Sequence, residues 1–140
     1  MRLLSLSLLA CVIAIPAQAQ LGVGGQVGDP TGLSLKFGDG TGAAILAIGW
    51  DLDDAVSAEG HYLLRARRLQ GSRTARVFYG PGVFVVANDN RERFGVSLGL
   101  GLEARLAPEI EIYGLISPRL QLIDDTDFEI GGGAGLRLIL

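Results

Sequence analysis

The chain of 140 residues contains one cysteine, one histidine and one methionine. The cysteine, Cys11, lies in the apolar N-terminal stretch, so the rest of the chain has no thiol for a disulfide or a thiolate metal site. A lone histidine does not make a metal site, and we expect neither a metal nor a cofactor. The net charge of −3 shows no basic excess, which argues against nucleic-acid binding. Beyond the N-terminus, no apolar run approaches the roughly 20 residues that a membrane helix needs.

The N-terminus has the features of an export signal. Arg2 precedes the apolar stretch "LLSLSLLACVIAI", and the small-residue site "AQA" at 17–19 follows Pro16. We expect residues 1–19 to be a secretory signal peptide, cleaved between Ala19 and Gln20, and residues 20–140 to form one domain. A lipoprotein signal ending at Cys11 is the less favoured alternative, because more apolar residues follow it.

Glycine, by contrast, is abundant at 21 residues, about twice the usual ~7%, and this density disfavours long helices. The segment "RFGVSLGLGLEARL" at 93–106 has an apolar residue at every second position, the period of a β-strand with two unlike faces. Seven other segments alternate similarly, with short connectors rich in turn residues. The predicted strands are 20–28, 31–38, 42–51, 56–67, 75–88, 93–106, 110–123 and 128–140.

The composition of the two faces predicts which one meets lipid. The polar face is mostly glycine and serine with isolated charges, which suits a narrow barrel interior, whereas the apolar face continues across all the predicted strands. We therefore expect an all-β fold, an eight-stranded antiparallel up-and-down transmembrane β-barrel. The alternative is a soluble periplasmic barrel with inverted faces that binds an apolar ligand. Ile45 is an exception, an apolar residue at an inward position of the third strand.

Three short motifs resemble a known family. The segments "GDPTGLSLKF" at 28–37, "HYLLR" at 61–65 and "VFYGPG" at 77–82 are similar to the opening hairpin and middle strands of small eight-stranded outer-membrane barrels. These barrels are of the type of the transmembrane domain of outer-membrane protein A in Gram-negative bacteria. The resemblance implies an outer-membrane location, with membrane lipid and the barrel assembly machinery as partners. It implies fold and location far more than activity, and we expect a structural or surface-interaction role and no enzymatic activity.

A set of charged side chains falls on the predicted inward face. We interpret it as a lumen network that plugs the barrel, because eight strands leave an interior just filled by side chains. A porin-like selective pore is the alternative. The network consists of Lys36, Glu59, His61, Arg65, Arg76, Glu103, Arg105, Glu111, Arg119, Glu129 and Arg137.

His61 also offers a catalytic alternative, a lipid-modifying enzyme on the same barrel with this histidine as base. Its strand neighbours Ser57 and Glu59 have suitable chemistry, but Ser57 would lie roughly 13 Å away along one strand. We therefore expect a hydrogen-bonded lumen histidine and no catalytic residue.

The predicted connectors at one end of the barrel are acidic. Our hypothesis is that this outer rim binds the divalent cations that bridge lipopolysaccharide phosphates, although aspartate is also a common turn residue. The rim consists of Asp29, Asp51, Asp53, Asp54, Asp89, Asp124, Asp125 and Asp127.

The glycine runs at 22–25 and 131–135 lack the Lys-Ser/Thr pair of a phosphate loop. Because the first and last strands must pair to close a barrel, we expect these runs to lie side by side. Aromatic residues near strand ends, among them Trp50, Tyr62 and Tyr79, suit an interfacial belt.

Overall fold

A computed structural model describes residues 20–50, 55–88, 92–122 and 126–140. In these ranges every regular element is a β-strand. The strands are β1 (Leu21–Asp29), β2 (Gly32–Phe37), β3 (Ala44–Trp50), β4 (Val56–Tyr62), β5 (Arg65–Arg68), β6 (Ala75–Ala87), β7 (Glu92–Ala107), β8 (Ile110–Gln121) and β9 (Asp127–Ile139). No helix in the described part of the chain is long and apolar enough to cross a membrane.

The strands form one closed antiparallel sheet. β4 and β5 both pair with β6, so they occupy a single position in the wall, and β1 pairs with β9 to close it. The predicted all-β, antiparallel barrel with eight positions is thereby confirmed. Closure between β1 and β9 removes the two long edges that an open sheet would have, and the short β5 keeps one edge that faces a turn.

The two glycine runs lie on these adjacent closing strands, offset along them. Gly132–Gly135 face Gln26–Asp29, whereas Gly24 faces Arg137. A Cβ at Gly24 would collide with the backbone of Leu136 and Arg137, which explains a glycine there by close strand approach.

The orientation of the faces agrees with the prediction. In β7 the side chains of Leu98 and Leu100 are 42% and 36% exposed, whereas Ser97 between them is 9% exposed. Glu103 and Glu111 are also buried on the inner side. Alternation therefore directs apolar side chains outward and polar ones into the lumen.

The wall has an irregularity between β4 and β5. From His61 to Arg65 the chain advances four residues, while their partners on β6, Gly82 and Tyr79, are only three apart. This one extra residue is a β-bulge, and it reverses the faces that follow. Leu63 still points inward like His61, but after it Ala66 turns inward and Arg65 lies exposed on the outer face. The prediction that Arg65 belongs to the lumen network is therefore wrong.

Ile45 points inward, as predicted, and it packs there against other apolar side chains. It is buried with Ala43, Leu63 and Phe78 in a small core, and Leu115 packs against them. The bulge adds to this core because it turns Ala66 inward, where Ala66 packs against the cluster. The interior thus contains an apolar cluster beside its polar side chains.

Candidate functional site: the barrel lumen

Glycines on the inner face make room for large lumen side chains. The ring of His61 lies against the backbone of Gly82 and Gly99, where a Cβ would overlap it. Further pairs of this kind are Phe84 with Gly95, Phe78 with Gly101 and Arg119 with Gly131. The lumen is narrow enough that bulky side chains need bare backbone opposite them, so the glycines belong to its packing.

One group of charges, the Lys36 cluster, lies at the end of the barrel where β1 begins and β9 ends. The Lys36 ammonium is 2.8 Å from Glu103 Oε2 and 3.0 Å from Glu111 Oε2. Glu111 Oε1 accepts a hydrogen bond of 2.8 Å from Arg137 Nη1. All four residues are buried, so the charges compensate one another away from water.

Asp39, in the turn after β2, joins this cluster at its rim. Its carboxylate is 2.8 Å from Arg76 Nη2, 3.5 Å from Arg105 Nη2 and 3.6 Å from the Lys36 ammonium. Partial burial raises the pKa of Asp39, but the attraction of Arg76, Lys36 and Arg105 outweighs it and holds that pKa below its ordinary value. No pattern in the sequence marks Asp39, because only the path of the turn brings it to the lumen mouth.

The same carboxylates raise the question of a cation site. Oxygens of Asp39, Glu103 and Glu111 lie within 4.8 Å of one another. The Lys36 ammonium is within 3.6 Å of all three, however. A lysine therefore occupies the centre that a metal ion would need, and this geometry favours a structural ion cluster.

A hydrogen-bonded layer lies beside the Lys36 cluster. The Tyr113 hydroxyl is 2.6 Å from both Gln26 Oε1 and Ser34 Oγ. Ser34 Oγ accepts a hydrogen bond of 2.9 Å from Arg137 Nε, and the guanidinium carbon of Arg137 is 3.7 Å from the Tyr113 ring centroid. This contact is a cation–π interaction, which ties the tyrosine to the ion cluster. The inward positions of Gln26 and Ser34 follow from strand alternation, but no local sequence signal marks them as partners of Tyr113.

A second group, the Arg119 cluster, lies toward the other end of the lumen. Arg119 binds Glu59 through two hydrogen bonds, Nε to Oε2 at 2.8 Å and Nη2 to Oε1 at 2.9 Å. It also donates to the side chain and the backbone carbonyl of Asp29, at 3.0 and 2.6 Å. Ser117 Oγ donates to Glu59 Oε2 at 2.8 Å. The bidentate pair matches the planar guanidinium to a carboxylate and fixes both.

His61 adjoins the Arg119 cluster through hydroxyl groups on facing strands. Its Nε2 is 3.1 Å from Ser97 Oγ and 3.4 Å from Ser117 Oγ, and 3.9 Å from Glu59 Oε2. Pairing across the barrel brought these serines to the histidine, and Ser57 is not among its hydrogen-bond partners. A catalytic triad places the nucleophile and the acid on opposite ring nitrogens, whereas here the serines and Glu59 all approach Nε2.

The free space beside His61 is small. A cavity of about 10 Å³, lined by residues that include Gln26, Glu59, His61 and Arg137, has room for the centre of about one water molecule. The described lumen is therefore a packed interior at this level.

The remaining predicted residues occupy the two mouths of the lumen. Glu129 lies 3.5 Å from Arg93 Nη1 and 3.9 Å from Arg119 Nη1, and Arg105 Nη2 donates to Gln20 Oε1 at 3.1 Å. Glu103 Oε1 is buried without a hydrogen bond, 3.6 Å from Arg76 Nε.

The acidic rim is described at two positions only. Asp29 binds Arg119 of the lumen, and Asp127 is exposed and accepts a hydrogen bond from the backbone of Phe128. The rest of the predicted rim and the proposed signal peptide with Ala19 lie outside the described residues: Asp51, Asp53, Asp54, Asp89, Asp124, Asp125 and residues 1–19.

Comparisons of the chain with family models, with curated proteins and with solved structures found no match. The resemblance to small outer-membrane barrels therefore depends on the segments 28–37, 61–65 and 77–82 alone, and it stays a prediction.

Proposed function

We propose that the chain is a small integral outer-membrane β-barrel protein of a Gram-negative bacterium, with a structural or surface-interaction role. The observation that carries this proposal is the orientation of the faces, apolar outside and charged inside. In water this arrangement is unfavourable, and in lipid it is the ordinary one.

The outer wall supports the lipid-facing interpretation. Leu102, Ile116 and Ile130 are 53%, 56% and 67% exposed, and they belong to an apolar surface that continues around the barrel. A soluble monomer rarely exposes so large a contiguous apolar area. Strands β6 to β9 have 12 to 16 residues, more than the about 9–11 that a tilted membrane strand needs. Strands β1 to β4 have 6 to 9 residues, so the regular wall is shorter on that side.

The filled lumen supports a structural role over transport. The Lys36 and Arg119 clusters span the interior, and the cavity of about 10 Å³ between them leaves no wide path. The same filling disfavours the soluble alternative, since an apolar ligand would need an apolar, empty interior.

The position of His61 disfavours a lipid-modifying enzyme. Its side chain is 5% exposed inside the lumen, and the sheet separates it from the apolar outer wall where a lipid would lie. A lipid-directed base would need to reach that outer surface or an open mouth.

Leu98 provides the test of the proposal, because its side chain points outward near the middle of β7. In a bilayer, Leu98→Arg should cost about 2–4 kcal/mol of folding free energy, whereas on a water-exposed wall it should be harmless. Leu98→Met is the matched apolar control. The measurements are membrane fractionation of the full-length chain and urea titration of the vesicle-reconstituted barrel, with folding scored by heat-modifiable gel migration. A chain that stays in solution without detergent, with Leu98→Arg as stable as Leu98→Met, would overturn the proposal.

A further inference from the structure

The bulge after β4 places two arginines on the outer wall. Arg65 pairs with Tyr79 and Arg67 pairs with Val77, and both partners are 41% exposed on the outer face. Arg65 and Arg67 are themselves exposed, and their side chains form no hydrogen bond or ion pair with another described residue. The lumen arginine Arg119, in contrast, binds Glu59 and Asp29.

These arginines lie at one end of the wall. The edge of β5 away from β6 contacts a turn instead of a strand, because Ala66 N donates to Thr41 Oγ1 at 3.0 Å. β5 therefore projects past the start of β3, at the same end as the Lys36 cluster. The preceding outward side chains, Tyr62 and Leu64, are 53% and 54% exposed. The outer surface thus changes from apolar and aromatic to cationic within a few residues.

We propose that Arg65 and Arg67 form a site on the outer wall for the phosphate groups of anionic phospholipids. This inference rests on the proposed membrane location. A guanidinium group can donate two parallel hydrogen bonds to two oxygens of one phosphate. Aromatic side chains are enriched at the depth of the lipid headgroups in a membrane. Acyl chains would lie along Tyr62 and Leu64 while the phosphate meets the arginines. The continuity of the site with the apolar wall selects a lipid headgroup over a free phosphate, which would need no apolar neighbour.

The bulge gives this arrangement a structural cause. In uninterrupted alternation from His61, Arg65 and Arg67 would point into the lumen, where the Lys36 cluster already holds several cations. One inserted residue moves both guanidinium groups to the outside and turns Ala66 toward the lumen instead.

The test compares single arginine variants in bilayers of defined composition. The full-length chain is purified from membranes and reconstituted in nanodiscs of phosphatidylcholine mixed with phosphatidylglycerol. Native mass spectrometry then counts the phosphatidylglycerol molecules that the barrel retains. We expect Arg65→Gln and Arg67→Gln each to lower the preference for phosphatidylglycerol about fivefold, the contribution of one basic residue near an anionic surface. The matched control is Arg93→Gln, which removes one arginine near the opposite end and should leave the preference unchanged.

Each other outcome has a definite meaning. Equal retention by the wild type and both variants, or an equal loss in Arg93→Gln, overturns the site while the membrane proposal stands. Displacement of the lipid by added inorganic phosphate means that the site takes free phosphate, which overturns the lipid assignment. A wild-type chain that never enters the membrane fraction overturns both proposals. Heat-modifiable migration confirms that each variant is folded, and Arg65→Lys should retain most of the preference.

Discussion

Buried charges are compensated in different ways at the two ends of the lumen. In the Lys36 cluster, Glu111 joins two cations from different strands, with Lys36 on one oxygen and Arg137 on the other. In the Arg119 cluster, one guanidinium is shared by two acids, Glu59 and Asp29. Removing Glu111 therefore leaves the buried Arg137 without a carboxylate, whereas removing Glu59 leaves Arg119 paired with Asp29. The comparison teaches that the connectivity of a charge network decides how much each member contributes to stability.

The largest effect is expected from Glu111→Gln. Glu111 is fully buried, and its loss of charge leaves Lys36 with Glu103 and Asp39 and leaves Arg137 without a carboxylate. Breaking a buried ion pair in this way should lower the free energy of unfolding by about 3–5 kcal/mol, measured by urea titration of the folded barrel. The control is Glu109→Gln in the adjacent exposed turn, which should change it by less than about 0.5 kcal/mol. Equal effects of the two variants would show that the buried charge is unimportant.

A smaller effect is expected from Glu59→Gln at the other end. Arg119 keeps its ion pair of 3.0 Å with Asp29, and a glutamine oxygen can still accept one hydrogen bond. The loss should be about 2 kcal/mol, the value of hydrogen bonds to a charged group. Combining Glu59→Gln with Asp29→Asn should exceed the sum of the single effects, because Arg119 then keeps only the 3.9 Å contact with Glu129. A Glu59→Gln loss as large as that of Glu111→Gln would contradict the contrast between the clusters.

Gly99→Ala tests packing at the His61 side without changing any charge. The added Cβ would overlap the ring of His61, which must move away from Ser97. Overpacking of this kind should lower the free energy of unfolding by about 1–2 kcal/mol. Gly25→Ala is the control, since the nearest atom to its new Cβ is 3.5 Å away. If both alanine variants are equally stable, His61 is not held by its glycine neighbours.

The smallest effect is expected from acidification at Asp39. Because the pKa of this carboxyl is lowered in the folded barrel, its contribution is present above the pKa of the unfolded chain and is lost as the pH falls through the lower folded value. Stability should therefore decline below about pH 4, and Asp39→Asn should remove that part of the decline. Urea titration of both proteins across this range measures the difference. A larger acid loss in the variant than in the wild type would reverse the expected sign.

The sequence predicted the strands and the two faces well because alternation is a local property. Alternation along β7 alone puts the side chains of Ser97 and Leu98 on opposite sides of the wall, whichever strands lie next to β7. The prediction was wrong at Arg65, because the sequence near Leu63 contains no motif that predicts the β-bulge. The apolar Leu63 at an inward position was the only local signal of a change there. Its role could not be recognised from the sequence, because Phe78 and Ile45, which it packs against, lie on other strands.

The sequence by itself determined the all-β class, the strand count around the wall and the segregation of polar from apolar side chains. Only the tertiary structure decided which charges meet. Lys36 finds Glu103 at a separation of 67 residues, and Glu59 finds Arg119 at a separation of 60. These partners depend on strand register, on closure between β1 and β9, and on contacts across the lumen. The physical reason is that the side-chain period is fixed within each strand, whereas the neighbours of a lumen side chain are set by how all the strands close around it.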